Sequence, residues 1–526
     1  MNKVSILDCT LRDGGYINNW EFGNKKIKRI IDNLVDAKID IIECGFIRNL
    51  EYKEDSTVFS SVKQISKFIS SKKPGILYAA MVEQHNYNSA LIAPKMDDSV
   101  DIIRLTFRKK EWTEAKNSAK ELMKKGYKVC IQPVGTTSYD DESLIALIKD
   151  VNELNPFAFY LVDTLGVMYR HEMRKFFYLI DNNLARNINL GFHSHNNLQM
   201  SFANAQEMIW LNRRRNIIID TSCYGMGRGV GNLATELLAD YINNNIEHRY
   251  SLIPILNIID KYLMSIFAEQ KWGYDLPYFL SATVKCHPNY ATYLLKKDTI
   301  SVEKIEKILN LIPLNARSEY NPDLIEQLYF EFQKYDIDDG LAVDCLRNIV
   351  SSKNVLIIAP GANIIKQKKI IDQLIEREDP YVITVNFDTD LYKADAFFIS
   401  NEKRFSEMKL DTPKAKKCIT TSNLGNLLIN HAIVFDYASL LGEGDASDNA
   451  GSMLIRILKR VGVSKIYLAG FDGFDVNSSV NYYDSNKNKA MDYSTTKKKN
   501  DDITKQLKIA LCGIDYEVVT DSKNEI

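Results

Sequence analysis

Leu7-Asp8-Cys9-Thr10-Leu11-Arg12-Asp13-Gly14-Gly15-Tyr16 takes over from an apolar run beginning at Val4 and sets a cation beside a carboxylate on a glycine-softened turn. Two consecutive glycines free the backbone to hold Arg12 and Asp13 at a strand end, where a metal-bound oxyanion can meet both. Alone, the stretch reads equally well as an ordinary surface Arg-Asp turn. Gly191-Phe192-His193-Ser194-His195-Asn196-Asn197 changes the balance, because it too ends an apolar run. Side chains at i and i+2 of a strand share a face, so His193 and His195 point the same way with about 6 to 7 Å of backbone rise between them. Two imidazoles and a carboxylate leave positions open on a divalent ion. The chain has only seven histidines.

Around these stretches, β-branched runs at 4–8, 40–45, 76–81, 101–106, 128–133, 158–163, 189–193 and 217–222 alternate with amphipathic segments at 27–37, 58–69, 115–125, 142–154, 172–184, 200–211 and 232–242. The alternation predicts an α/β fold, a (β/α)8 TIM barrel over residues 1–245, rather than a doubly wound open sheet, which rarely needs so many equal units. A barrel places its chemistry at the C-terminal ends of several strands. Arg12 and Asp13 follow the first expected strand, Glu43 ends the second, Arg104 the fourth and Gln132 the fifth; Asp163 and Thr164 follow the sixth, and His193 and His195 end the seventh. After the eighth comes Gly225-Met226-Gly227-Arg228-Gly229-Val230-Gly231-Asn232, expected to open a helix. Its backbone N–H groups suit an anion, but a tight turn closing the barrel explains it equally well, and Asn232 either sits near the metal or caps the helix.

Asp8-Cys9-Thr10-Leu11-Arg12-Asp13-Gly14, His193-Ser194-His195-Asn196 and the glycine run together resemble the DRE-TIM metallolyase, or HMG-CoA lyase-like, superfamily. The resemblance covers the whole barrel and is greatest to the 4-hydroxy-2-oxovalerate aldolase branch. It implies a class II aldolase that makes or breaks a carbon–carbon bond next to a 2-oxo acid such as pyruvate, with an aldehyde as the other partner. Asp13, His193 and His195 would hold Mn²⁺, alternatively Mg²⁺ or Co²⁺, and Arg12 would stabilise the enolate oxygen. Glu43, Arg104, Gln132, Asp163, Thr164 and Asn232 are candidates for binding substrate. These aldolases carry a histidine base where this chain has Tyr16, so Tyr16, Tyr290 and a metal-bound water are the candidates for moving the proton. Cys223 invites comparison with the loop cysteine of HMG-CoA lyase, although counting from Asp220 places it on a strand end; His287 reads as a proton-transfer or a structural group. Alternatives are an acyl-CoA-dependent lyase or Claisen-type synthase, and an inactive barrel serving as a binding module.

Residues 246–350 are helical in pattern and similar to the extension those aldolases carry, where a tyrosine reaches back to the active site; Tyr290 matches it best. Residues 351–526 predict a Rossmann-like α/β domain with strands near 355–358, 381–386, 396–400, 418–421, 432–435 and 465–470. There is no GxGxxG. This part faintly resembles motility-associated and sialyltransferase-42-like domains that bind nucleotide sugars, which would put Gly361 and Asn363 near phosphates and Asn386 and Asp472 near the sugar; a silent assembly domain is the alternative. The fusion suggests surface-polysaccharide precursor synthesis. Residues 476–503 read as a mobile loop.

A net charge of -1 over 526 residues offers no case for nucleic acid or an anionic membrane. Eight cysteines without a CxxC fit reduced thiols in a cytoplasmic protein, no apolar run reaches membrane-spanning length, and the N-terminus has no leader pattern. A homo-oligomer is expected.

Overall fold

The computed structural model describes residues 3–69, 72–212, 214–334, 337–350, 352–387, 389–407, 417–427, 432–441, 448–475, 481–484 and 493–524. The chain divides into two compact units, residues 1–288 with 317–319, and residues 289–316 with 320–526. The helical segment at 246–350 is therefore shared between them.

In the first unit eight parallel strands pair in chain order: β1 (Val4–Asp8), β2 (Ile41–Ile47), β3 (Leu77–Glu83), β4 (Ile102–Phe107), β5 (Lys128–Pro133), β6 (Ala158–Asp163), β7 (Asn189–Ser194) and β8 (Ile217–Thr221). β1 pairs with β8 on one side and with β2 on the other, at Leu7 with Asp220 and Leu7 with Ile41, so the sheet closes into a TIM barrel. The strands are apolar on both faces because both are covered. Ile6, Ile103 and Leu105 face the helices, while Leu7, Ile41, Ile102, Cys130, Ala158 and Tyr160 fill the interior. The helix Asn24–Asp36 shows why it docks: Ile27, Ile30, Ile31 and Leu34, at three and four spacing, are its buried residues.

Three local features depart from a regular alternation of strand and helix. Residues 58–69 are not one helix: Val58–Phe59 pair with Phe46 and Ile47 as a short strand, and the helix is Val62–Ile69. That pairing accompanies a register break in β2 between Glu43 and Phe46, where Gly45 takes a φ of +149° and a Cβ would strike the Thr57 carbonyl. Between β3 and β4 the described residues hold only the 3-10 turn Ser89–Leu91. The glycine run does not open a helix; it folds back on itself, Asn232 N donating to Gly225 O at 3.0 Å, and the helix is Thr235–Asn245.

The second unit carries a parallel sheet of β9 (Val355–Ile358), β10 (Tyr381–Val385), β11 (Ala396–Ile399), β12 (Lys417–Thr421), β13 (Ile433–Phe435), β14 (Lys465–Ala469) and β15 (Asp515–Val518), in the order β13-β12-β11-β10-β9-β14-β15. The order reverses between β9 and β14. Residues 493–503 are not a loop but the first part of the helix Tyr493–Leu511, whose Ile503, Leu507 and Leu511 are buried one turn apart; 476–480 and 485–492 lie outside the described residues. Among the described residues no helix is long and apolar enough to cross a membrane. The eight cysteines are free thiols, and six are buried.

Candidate active site

The turn after β1 is pinned before any chemistry begins. Arg12 N and Asp13 N both donate to Cys9 O, at 3.0 and 2.8 Å, and Arg12 O accepts from Trp20 Nε1 at 2.7 Å. From it a ring of charged side chains closes across the barrel mouth. Arg12 Nε donates to Glu43 Oε2 at 2.8 Å, and the same oxygen accepts from Arg104 Nη1 at 2.7 Å. Arg104 Nη2 donates to Asp220, whose Oδ2 lies 3.0 Å from His193 Nδ1. Asp13 completes the circuit, its Oδ2 3.5 Å from His193 Nε2 and its Oδ1 3.1 Å from Arg12 Nη1. His195 joins from outside the ring, its Nε2 3.4 Å from Asp13 Oδ2.

Beneath the ring the barrel is shaped to carry it. Arg104 is fully buried, 4.9 Å over the Tyr160 ring, and that ring occupies the space a side chain at Gly191 would need. With its amide oxygen turned towards Arg104, Gln132 accepts from Arg104 Nε at 2.9 Å. Glu43, Arg104 and Gln132, expected as substrate ligands, come together and hold one another and Arg12.

The imidazoles are oriented from behind. His195 Nδ1 lies 2.6 Å from Thr164 O; a carbonyl only accepts, so Nδ1 carries the hydrogen and Nε2 presents its lone pair beside Asp13. His193 Nδ1 approaches Asp220 Oδ2 at 3.0 Å, an electrostatic contact without hydrogen-bond geometry. Arg12 Nη2, Asp13 Oδ2, His195 Nε2 and Asn232 Oδ1 are buried with no hydrogen-bond partner. Each such atom costs roughly 1–3 kcal/mol unless a ligand meets it. Two guanidinium groups against three carboxylates also leave one negative charge uncompensated, which a divalent cation reverses. Imidazole and carboxylate donors of this kind suit a divalent metal, and among the described residues the donor atoms mutually within 4.8 Å are those of Asp13, His193 and Cys9, with His195 reaching Asp13. The spacing of motifs did not suggest Cys9 as a member of that group. Burial pushes that thiol well up, and sulfur suits softer ions than imidazole and carboxylate do.

The field of the ring sets protonation. Burial pushes the Asp13 carboxyl up, but Arg12 and the two imidazoles more than reverse this and hold it well below the usual carboxylate range. Burial also raises Asp220, and Arg104 and His193 bring it below its ordinary value. His193 is lowered by burial; His195 is raised, because Asp13 outweighs its burial. Tyr16 packs 4.7 Å from the Trp20 ring with 37% of its surface exposed, and crowding by the surrounding protein with the charges of Asp13 and Glu83 pushes its phenol up. A phenol so placed is a donor and not a base at neutral pH.

Other expected residues serve the frame. Asp163 accepts from Val167 N and Met168 N at 3.0 and 2.9 Å, and Thr164 Oγ1 accepts from Gly135 N at 2.8 Å. Asn232 bridges to His195 through the backbone and donates to Met226 O at 3.2 Å. Cys223 is buried, its Sγ 3.4 Å from Asp8 Oδ2, and burial drives its thiol well up, as suits a packed residue. His287 Nε2 is 3.3 Å from Arg228 Nη2, and burial with that charge pushes the imidazole down to about 4. Tyr290 belongs to the second unit, where it is fully buried; its hydroxyl donates to Ala316 O at 3.0 Å and accepts from Asn321 N at 3.1 Å. Gly361, Asn363, Asn386 and Asp472 gather at one end of the second sheet, Asp472 Oδ2 accepting from Asn363 N at 2.7 Å. Asp220 is the ring member the motifs missed, although a lone carboxylate after Ile217-Ile218-Ile219 was a visible signal.

Residues 3–258 match the HMGL-like family. An oxaloacetate decarboxylase of Mycobacterium tuberculosis is 25% identical over 241 residues, covering 44% of this chain and 68% of that protein. A 4-hydroxy-2-oxovalerate aldolase of Bacillus cereus is 25% identical over 245 residues, covering 45% and 68%. The crystal structure of the N-terminal domain of a Bacteroides vulgatus protein, provisionally named an aldolase, aligns with a TM-score of 0.50 and 26% identity over 58% of this chain and 99% of that one. The likeness to the HMGL-like family thus spans the barrel, residues 3–258.

Proposed function

We propose that the barrel is a divalent-metal-dependent carbon–carbon lyase of the class II aldolase type, cleaving or forming the bond next to the carbonyl of a 2-oxo acid such as pyruvate. The observation that supports this is that His193 Nε2 and His195 Nε2 lie 3.5 and 3.4 Å from Asp13 Oδ2, a carboxylate paired on its other oxygen with an Arg12 guanidinium whose Nη2 has no partner. Relatives named as a decarboxylase and an aldolase support the reaction class, since both reactions leave negative charge on a 2-oxo acid oxygen.

When bound, a divalent ion supplies a Lewis acid and a point of chelation for the 2-oxo acid; Mn²⁺ is the proposed ion, with Mg²⁺ or Co²⁺ as alternatives. The chain's own part is preorganisation. Arg12 is fixed by Glu43 and Asp13, so its Nη2 meets the developing oxyanion without reorganising. Glu43 and Arg104 keep that guanidinium in place, and Asn232 Oδ1 is positioned to accept from a substrate hydroxyl. Proton delivery is assigned to the Tyr16 phenol, because the Tyr290 hydroxyl is spent on backbone. The finer reading, that the whole chain serves surface-polysaccharide precursor synthesis with a nucleotide sugar in the second unit, is supported by the fusion of the two units.

The test is pyruvate release from oxaloacetate and from 4-hydroxy-2-oxo acids, followed with lactate dehydrogenase, using chelated and Mn²⁺-reloaded protein. Release that disappears on chelation and returns with the metal is expected. Thiol release from acetyl-CoA with 2-oxo acids, and none of these cleavages, would replace the proposal with a Claisen-type synthase.

A further inference from the structure

Beside the charged ring, the loop after β2 carries a second arginine held as Arg12 is. Arg48 Nε donates to Glu83 Oε2 at 2.8 Å, and Glu83 ends β3. Arg12, which follows β1, makes the same bond at the same length to Glu43 of β2. In each pair one edge of the guanidinium is tied to a carboxylate of the next strand. Arg12 keeps Nη2 unpartnered, and Arg48 keeps both Nη1 and Nη2 without a hydrogen-bond partner among the described residues. With 19% of its side chain exposed, Arg48 is screened less than a surface arginine, and an anion meeting it gains accordingly.

The two arginines rest on one ring. The guanidinium carbons of Arg12 and Arg48 lie 5.7 and 4.1 Å from the centroid of buried Phe46, and that of Arg48 is also 4.8 Å from the Trp20 ring. Their separation is therefore no more than those two distances laid end to end, which one small dianion can bridge with charge-assisted hydrogen bonds of about 2.7–2.9 Å at either end. Phe46, Trp20 and Tyr16 meet edge to face, with centroids 4.7, 5.8 and 6.2 Å apart. Trp20 holds a φ of +60°, an outlier for a bulky side chain that persists where its surroundings over-determine it.

Tyr16 stands in the field of both pairs, feeling Asp13 and Arg12 from one and Glu83 and Arg48 from the other. In the condensation direction the enolate carbon bonds to the carbonyl carbon of the electrophile, the carbonyl π pair moves to oxygen, and that oxygen takes the Tyr16 proton; the proton pyruvate gives up on enolising balances it. Cleavage runs the same step backwards. A substituent on the carbonyl carbon thus comes nearest the wall of Phe46 and Trp20. That wall alone suits a methyl group, and Arg48 standing over it suits an anion.

We propose that Arg48 reads the electrophile half of the substrate, and that the carbonyl compound joined to or released from the 2-oxo acid carries an anion of its own, a carboxylate or a phosphate close to the carbonyl carbon. This rests on the lyase reading of the barrel and adds the class of its second substrate.

Adduct formation from pyruvate, followed by mass, tests it with acetaldehyde, glyoxylate and glyceraldehyde 3-phosphate on the Mn²⁺-loaded full chain, in wild type, Arg48→Gln and Arg48→Lys. The quantity read is the ratio of kcat/KM for each anionic electrophile to that for acetaldehyde in the same protein, which cancels differences in folding and metal loading. An anionic electrophile is expected to be preferred in wild type, and its ratio should fall about 10- to 100-fold in Arg48→Gln. Arg48→Lys keeps the charge and loses the fork, so its ratio should be intermediate, and it gives the same test should Arg48→Gln fail to fold. Preference for glyoxylate assigns a carboxylate, and preference for glyceraldehyde 3-phosphate a phosphate. Deuterium exchange into pyruvate separates the two readings. Exchange in wild type without preference for either anion, or with a ratio unaltered in Arg48→Gln, overturns this proposal alone. Neither exchange nor adduct removes the lyase reading and this proposal with it.

Discussion

At the barrel mouth and in the cleft of the second unit lined by Gly361, Asn386 and Asp472, polar groups collect at the carboxyl ends of parallel strands, yet charge is kept in opposite ways. The barrel desolvates it: Arg12, Asp13, Glu43, Arg104 and Asp220 are all at most 4% exposed, and each is fixed by the next. The cleft keeps Arg404 and Lys499 on helices, partly exposed and against aromatic rings, while Lys297 is buried. Fixed charge in a dry site stabilises a charge that appears during reaction.

The difference is broken most severely by opening the ring. Asp220→Ala leaves the Arg104 guanidinium buried with half its compensation and is expected to cost roughly 3–5 kcal/mol of stability in denaturant unfolding. The cleft variant Arg404→Gln should stay within about 0.5 kcal/mol of wild type. Acid sharpens the same contrast. The Asp220 carboxyl is depressed in the folded state, so its contribution is present above the ordinary value of 3.8 and is lost as pH falls through the folded value. Asp220→Asn should therefore flatten the acid limb of the stability curve, and an unchanged limb would remove Asp220 from the account.

Next in size is Arg12→Ala, expected to lower kcat on the order of 10²-fold or more, because the group meets charge that develops only in the transition state. A smaller effect should follow from orientation alone. Asp220→Asn keeps the shape behind His193 but weakens its partner, and metal affinity measured by competition with a chelator should fall about 10- to 100-fold. Equal metal affinity in Asp220→Asn and wild type would mean that the ring holds Arg104 and not the metal site.

Much of the barrel could be read in advance because its strands are short apolar runs bounded by polar ends; Lys128–Pro133 and Ala158–Asp163 coincide with the expected boundaries. His193 and His195 stood out because strand geometry puts them at one end and on one face, and Arg12 and Asp13 because they follow a strand on a glycine-softened turn. What stayed hidden depends on contacts far apart in sequence. Glu43 and Arg104 looked like substrate ligands, and only the closed barrel shows them spending their charge on Arg12 and Asp220. The helix Tyr493–Leu511 begins with a polar, lysine-rich stretch whose buried spacing emerges only at Ile503, and the edge strand Asp515–Val518 is largely exposed, so neither carries a strong periodic signal. Lys297, from a helical segment some 60 residues before the second sheet, could not be assigned to its cleft without the fold.

The central claim is that the barrel mouth turns a 2-oxo acid into a carbon nucleophile, and mass-resolved deuterium exchange into pyruvate tests it without knowledge of the second substrate. Mn²⁺-loaded protein in D₂O is compared with Arg12→Ala, His193→Ala and a chelated sample. The account predicts exchange in the loaded wild type and its loss in the other three. No exchange in the loaded wild type, or exchange that survives in Arg12→Ala and His193→Ala, would contradict it.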